Sequence, residues 1–193
     1  KWTCGVFARN PDTGQARWFY QLNPHDEFDH DGINENIVVD LEIDGQTRKT
    51  LLAAQRNGYV YVLDRTTGKV FSATPFVRIT ASKGVDLKTG RIITNEEKKP
   101  QIGKVIRDVA PASPGAKDWQ PCAWSPRTHL LYIPHQNLAM DYEALEASYI
   151  EGTPYLGVNV KMYGNGGGKR GEFCAWDPVQ KKKVWAIDED FPV

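Results

Sequence analysis

Apolar and polar positions alternate along this chain in short runs, which is the period of half-buried β-strands. Gly58–Asp64, GYVYVLD, interleaves β-branched and aromatic residues directly after an Asn57-Gly58 hairpin signal, and HLLYIP (129–134) and KKVWAI (182–187) behave alike. One segment departs from this pattern: Met140–Ile150, MDYEALEASYI, reads as a helical insertion between strands. Laid against itself, the chain repeats. Ala8–Trp18 (ARNPDTGQARW) and Ala175–Trp185 (AWDPVQKKKVW) share a small residue, a turn with Asp or Pro, and a tryptophan at the end. Val62–Phe71 (VLDRTTGKVF) and Ala123–Tyr132 (AWSPRTHLLY) keep the same order of strand, polar turn and strand. Aligning the turn positions Gly14, Gly68, His129 and Lys181 gives spacings of 54, 61 and 52 residues. Periods near 50 with several short strands each predict an all-β array of the propeller type.

A propeller buries its inner strands only when its ring closes, so the array predicts that residues 1–193 are a fragment of a longer chain, one partial β-propeller domain with the 140–150 helical insertion inside it. A complete small sandwich with chance similarity between hairpins is the plainer alternative. Composition narrows the partners. The 24 basic and 24 acidic side chains cancel, which removes any bias toward nucleic acid or anionic membrane, and no apolar run approaches the length of a membrane span. A soluble chain meeting a small molecule or a protein is expected. Cys4, Cys122 and Cys174 lie far apart without a C-x-x-C or C-x-x-C-H motif, so covalent haem and structural zinc are not indicated.

The segment with the most chemistry is Pro24–Asn36, PHDEFDHDGINEN, where acids crowd around two histidines and a glycine. An EF-hand begun at Glu27 places Asp29, Asp31 and Gly32 correctly but reaches Val38 where the loop requires a bidentate glutamate. What survives is a D-x-D-G turn. In an extended stretch Asp29 and Asp31 face one side and His30 the other. Two carboxylates on one site repel unless a cation or proton lies between them. A solvated acidic turn accounts for the same residues without any site.

The motifs WFYQLNPHDEFDHDGINEN, AAQRNGYVYVLDRTTGK, VDLKTGR, KDWQPCAWSP, YIPHQNLAMDY and GEFCAWDP, in that order over essentially the whole chain, resemble the pyrroloquinoline quinone (PQQ) dependent methanol and ethanol dehydrogenases. The resemblance implies the middle blades of an eight-bladed propeller held by tryptophan-docking motifs, A-x-D-x-x-T-G-x-x-x-W. Ala8–Trp18 fits that motif with Asn10 at its Asp position, and Ala175–Trp185 fits more loosely, with Lys181 at its Gly position. By the same resemblance Asp29 falls on the catalytic base, and Asp29 and Asp31 on the metal shell. A second aspartate at position 31 is the lanthanide-type pattern, against a small neutral residue in calcium-type relatives. Arg56 falls on the arginine that donates to the quinone oxygens, and Asp118 and Trp119 on a cofactor-lining loop in which many relatives carry Asn at the position of Asp118. Without the resemblance, Arg56 is an ordinary hairpin arginine and Trp119 a core side chain.

The implied protein is a periplasmic quinoprotein alcohol dehydrogenase using PQQ with calcium or a lanthanide such as lanthanum or cerium. Its hydride goes to PQQ and its electrons to a separate cytochrome c, and a homodimer is compatible with it. The upstream Glu and Asn ligands of the family are expected outside residues 1–193, so the fragment alone is expected to be inactive. Two other readings stand beside it: a PQQ-dependent sugar or polyol dehydrogenase, separated by substrate profile, and a non-catalytic propeller scaffold, which needs no convergence of Asp29, Asp31 and Arg56.

Overall fold

The computed structural model describes residues 3–32, 34–154 and 156–193. Fifteen strands appear among them: β1 (Gly5–Arg9), β2 (Ala16–Gln21), β3 (Ile37–Ile43), β4 (Gln46–Ala54), β5 (Tyr59–Asp64), β6 (Val70–Pro75), β7 (Ser82–Asp86), β8 (Arg91–Thr94), β9 (Val105–Val109), β10 (Ala123–Ser125), β11 (Leu130–Gln136), β12 (Leu138–Ala144), β13 (Val158–Gly164), β14 (Gly171–Asp177) and β15 (Lys182–Glu189). They form two four-stranded antiparallel blades, β3-β4-β5-β6 and β10-β11-β14-β15, a three-stranded sheet β13-β12-β9, and the hairpins β1-β2 and β7-β8. This is the partial β-propeller expected from the repeat.

The repeat has a physical cause in a recurring five-residue turn. In the turns Asn10–Gly14, Asp64–Gly68, Asp86–Gly90, Ser125–His129 and Asp177–Lys181 the fifth amide donates to the first carbonyl at 2.7–2.8 Å. That fifth residue is left-handed each time, with φ of 71, 75, 73, 56 and 59°. The first side chain caps the turn: Asp64 Oδ1 accepts from the amides of Thr66 and Thr67, and Asp177 Oδ1 from those of Val179 and Gln180. Asp, Asn and Ser at the first position and Gly at the fifth are what such a turn selects. His129 and Lys181 adopt the same conformation as L-residues, at a steric cost of roughly 1–2 kcal/mol each.

Tryptophan docking is visible at Trp18. Its Nε1 donates to Arg65 O at 3.0 Å, and a Cβ on Gly68 would meet its ring at 2.7 Å, so a β2 residue of one hairpin seats on the turn of the next blade. One step further on, Tyr20 OH donates to Gly90 O at 2.7 Å. The β3-β4-β5-β6 blade is therefore covered on both faces. Tyr59, Tyr61 and Leu63 pack toward Tyr20 and Leu22, while Ala54 and Val60 pack toward Leu131, Ile133 and Trp176 of the second blade. Burial on two faces makes β5 an almost continuous apolar run, where a single covered face would have left alternate positions polar.

The helical insertion expected at 140–150 is not formed. Met140–Ala144 is the end of β12, paired with β13 on one side (Met140↔Met162, Tyr142↔Val160) and β9 on the other (Met140↔Val109), and residues 145–150 carry no regular structure. The helix formers of this segment are overridden by two ladders and by burial of Leu138, Ala139 and Met140.

Candidate active site

Three segments distant in sequence meet at one place: the loop between β2 and β3, the β4–β5 hairpin, and the loop between β9 and β10. The first is irregular but tightly held. Asn23 Nδ2 donates to His30 O at 3.1 Å, and Asp26 Oδ2 accepts from His30 N at 2.7 Å. Tyr142 OH donates to Glu27 O at 3.0 Å, with the Phe28 and Tyr142 rings edge to face at 5.8 Å. His30 is buried, and its Nε2 donates to Ala112 O at 3.1 Å. Asp29 and Asp31, on either side of it, are exposed. The histidine thus anchors the loop while both aspartates stand outward.

Asp29 has φ 66°, a left-handed conformation that Asp tolerates better than most residues. Its carboxyl lies above its ordinary pKa. Partial burial raises it, Arg56 opposes, and the charge of Asp31 and a hydrogen bond between the two carboxyls raise it again. The two carboxyls together offer an oxygen-only donor set, and a hard cation between them would relieve the charge that raises the Asp29 pKa.

Arg56 occupies the hairpin turn after β4, where Gly58 N donates to Gln55 O at 2.9 Å. Its side chain is only 12 % exposed and lies between two carboxylates: Nη2 is 3.5 Å from Asp29 Oδ2 and Nη1 is 3.4 Å from Asp118 Oδ1. Nη2 also donates to Ser113 O at 2.8 Å, a firm anchor beside two looser ion pairs. Arg56 Nε and Asn34 Oδ1 are the buried side-chain polar atoms without a partner among the described residues. The guanidinium is thus held through both terminal nitrogens, and its buried Nε keeps an unused donor.

Asp118 is mostly covered, whereas Trp119 is 77 % exposed and makes no part of the core. The structure therefore gathers Asp29, Asp31, Arg56 and Asp118 and leaves the Trp119 indole on the surface beside them. Sequence reasoning did not single out the residues underneath: Ser113, Gly115, Lys117, Asn34 and Glu35. Two glycines let the segments close up. A Cβ on Gly115 would lie 2.6 Å from Arg56 Cβ, and one on Gly32 would lie 2.6 Å from Asn34 Oδ1 and 2.8 Å from Arg56 Cδ. Gly32→Ala is expected to push the Asp29 loop off Arg56 at a cost of about 1–3 kcal/mol, the usual scale of overpacking. Thermal melting of the full-length protein reads it, and an unchanged melting temperature would show that these neighbours yield freely.

A second cluster, His135, Glu172 and Cys174, brings its ligand atoms within 4.8 Å of one another. It already holds a cation: the Lys183 ammonium sits on Glu172 Oε1, which also takes His135 Nε2 at 2.8 Å. This cluster is a half-buried ion pair with its charge already met by Lys183.

Residues 1–86 match the family described as "Glucose/ethanol/alcohol dehydrogenase, beta-propeller domain" of the PQQ proteins. The whole chain is 45 % identical to a lanthanide-dependent methanol dehydrogenase of Methylacidiphilum fumariolicum, covering 32 % of that protein. It is 37 % identical to a quinoprotein ethanol dehydrogenase of Pseudomonas aeruginosa, again over 32 % of its length. The solved structure of a europium-containing methanol dehydrogenase superposes on all of this chain with a TM-score of 0.95 at 44 % identity, with 34 % of that chain covered. The chain spans about a third of the length of the relatives it matches.

Proposed function

We propose that the chain, which is similar along its whole length to PQQ-dependent methanol and ethanol dehydrogenases, is a member of that family and supplies the base, part of the cation shell and one edge of the cofactor site of a periplasmic enzyme oxidising a primary or secondary alcohol to an aldehyde or ketone. The observation that supports this reading is the convergence of exposed Asp29 and Asp31 with the mostly covered Arg56 and Asp118, from three separate segments, at one place. When bound, PQQ accepts the hydride while a calcium or lanthanide ion polarises its carbonyl.

The chain's own residues do the rest. Asp29 takes the hydroxyl proton of the alcohol on its carboxylate as general base. Burial makes it a stronger base than an ordinary carboxylate; Arg56 opposes that shift and the charge of Asp31 adds to it. Arg56, held by Ser113 O and Asp118, keeps Asp29 oriented and offers its remaining donor capacity to the cofactor oxygens. Asp31 brings a second anionic oxygen to the cation. Electrons pass onward to a separate cytochrome c.

Reconstitution of the full-length apo protein tests this. Alcohol-dependent dye reduction is expected only when PQQ and a metal ion are both added. Oxidation of aldoses or polyols without oxidation of any simple alcohol would overturn the substrate class, and failure to bind PQQ would overturn the function.

A further inference from the structure

Asn34 stands where the three segments of the site cross. Its Nδ2 donates to Ala54 O at 2.8 Å and to Lys117 O at 3.2 Å. Ala54 ends β4 just before Gln55 and Arg56, Lys117 directly precedes Asp118, and Asn34 itself follows the Asp29–Gly32 turn. One buried amide therefore ties the carriers of Asp29 and Asp31, of Arg56, and of Asp118. Its orientation follows from chemistry, because two carbonyl oxygens can only be served by the NH2 end. The consequence is that Asn34 Oδ1 is turned toward Gly32 and left buried without a partner. An orphaned acceptor costs stability, so stability alone does not account for the arrangement.

The next residue makes a second tie. Glu35 Oε2 accepts from Lys117 Nζ at 2.8 Å, and the same Nζ donates to Asp118 O at 2.9 Å. Glu35 Oε1 takes the amide of Cys122 beyond the cofactor-facing turn. Lys117 is fully buried. Although burial pushes the Glu35 carboxyl upward, its bonds to Lys117 and Cys122 hold it below its ordinary pKa. Ion pairs taken out of water seldom add net stability over apolar packing. Asn34 and Glu35–Lys117 together fix the distance between the loop of Asp29 and the loop of Asp118, while Arg56 reaches both acids only at 3.4–3.5 Å. With contacts that loose, the spacing of the three segments is set by the ties beneath them.

We propose that Asn34, supported by the Glu35–Lys117 pair, is a positioning residue that sets the registration of Asp29 against Arg56 and Asp118 for the dehydrogenase reaction. This rests on the alcohol dehydrogenase reading. The test uses the full-length holoenzyme and two variants. Asn34→Ala deletes the donor. Asn34→Asp keeps the volume and exchanges the donor for an acceptor facing the same two carbonyls. The readouts are melting temperature, PQQ affinity by quenching of tryptophan fluorescence, and kcat and KM normalised to bound PQQ.

Both variants are expected to lower kcat per bound PQQ by about 10²-fold, the scale of a misplacement near 1 Å. KM for the alcohol changes little, and PQQ binding weakens about tenfold as the loops of Arg56 and Asp118 lose their registration. Should Asn34→Ala fail to accumulate, Asn34→Ser, which keeps one donor, is expected to show a smaller loss of the same kind. A lower melting temperature with unchanged kcat per bound PQQ would overturn positioning in favour of a purely structural role, as would wild-type kcat in Asn34→Asp. A wild-type control that neither binds PQQ nor oxidises alcohols sinks the dehydrogenase reading itself, and the positioning role with it; a competent control with unaffected variants sinks positioning alone.

Discussion

Asp29→Asn in the full-length protein is expected to lower alcohol turnover by about 10²-fold or more, the usual contribution of a general base. Asparagine is the informative replacement because position 29 has φ 66°, and Asn tolerates that left-handed conformation as Asp does. Alanine would add backbone strain and confuse the result. The amide keeps the size of the carboxylate, so the loop retains its anchors through Asn23, Asp26 and His30. PQQ binding is expected to persist in part, since Arg56 keeps its bonds to Ser113 and Asp118. Turnover like that of the wild type, with PQQ and metal saturating, would remove Asp29 from the role of base.

The propeller was legible because its repeat is a local event. Each turn needs a capping first residue and a left-handed fifth one, and both leave marks in sequence, so Gly14, Gly68, His129 and Lys181 align at positions of positive φ. A further turn of the same kind, Asp86–Gly90, escaped that alignment although its bond is the same. The 140–150 segment failed for the opposite reason. Its fate depends on β9 and β13, partners up to tens of residues away, which a window of eleven residues does not contain.

The site divides along the same line. The acids of the Asp29 turn declare themselves by crowding; their opposition to His30 is expected from an extended stretch but arises in an irregular loop with Asp29 left-handed, whereas Arg56 is a hairpin arginine until Asp118 and Ser113 are folded against it. Asn34 closes the FDHDGIN stretch, but neither it nor Lys117 carries a local signal of what it bonds. Their bond joins positions 83 residues apart, and Gly32 leaves room for the Asn34 side chain that makes it.

Asp31 is expected to set the preference of the site for its ion, with a large consequence. Asp29 and Asp31 share one exposed rim, and their contact raises the Asp29 pKa, so each added unit of positive charge between them is repaid more fully here than at a turn with a single acid. A trivalent lanthanide close to calcium in size gains more from the second carboxylate than calcium does, and it is the stronger Lewis acid toward a quinone oxygen. Full-length apo protein reconstituted with PQQ and lanthanum or cerium is therefore expected to turn over faster than with calcium, and Asp31→Ala is expected to abolish or reverse that order. Asp31 is exposed and absent from the buried core, so the substitution leaves the fold intact, which the melting temperature checks. The competing role for Asp31 is local, an Asx-type cap on the Gly32 turn. A cap lost to alanine lowers stability and leaves the ranking of metals as it was. Dye-linked alcohol oxidation across calcium and lanthanide titrations of both proteins separates the two, because equal rankings before and after the substitution leave no role for the charge of Asp31 in choosing the ion.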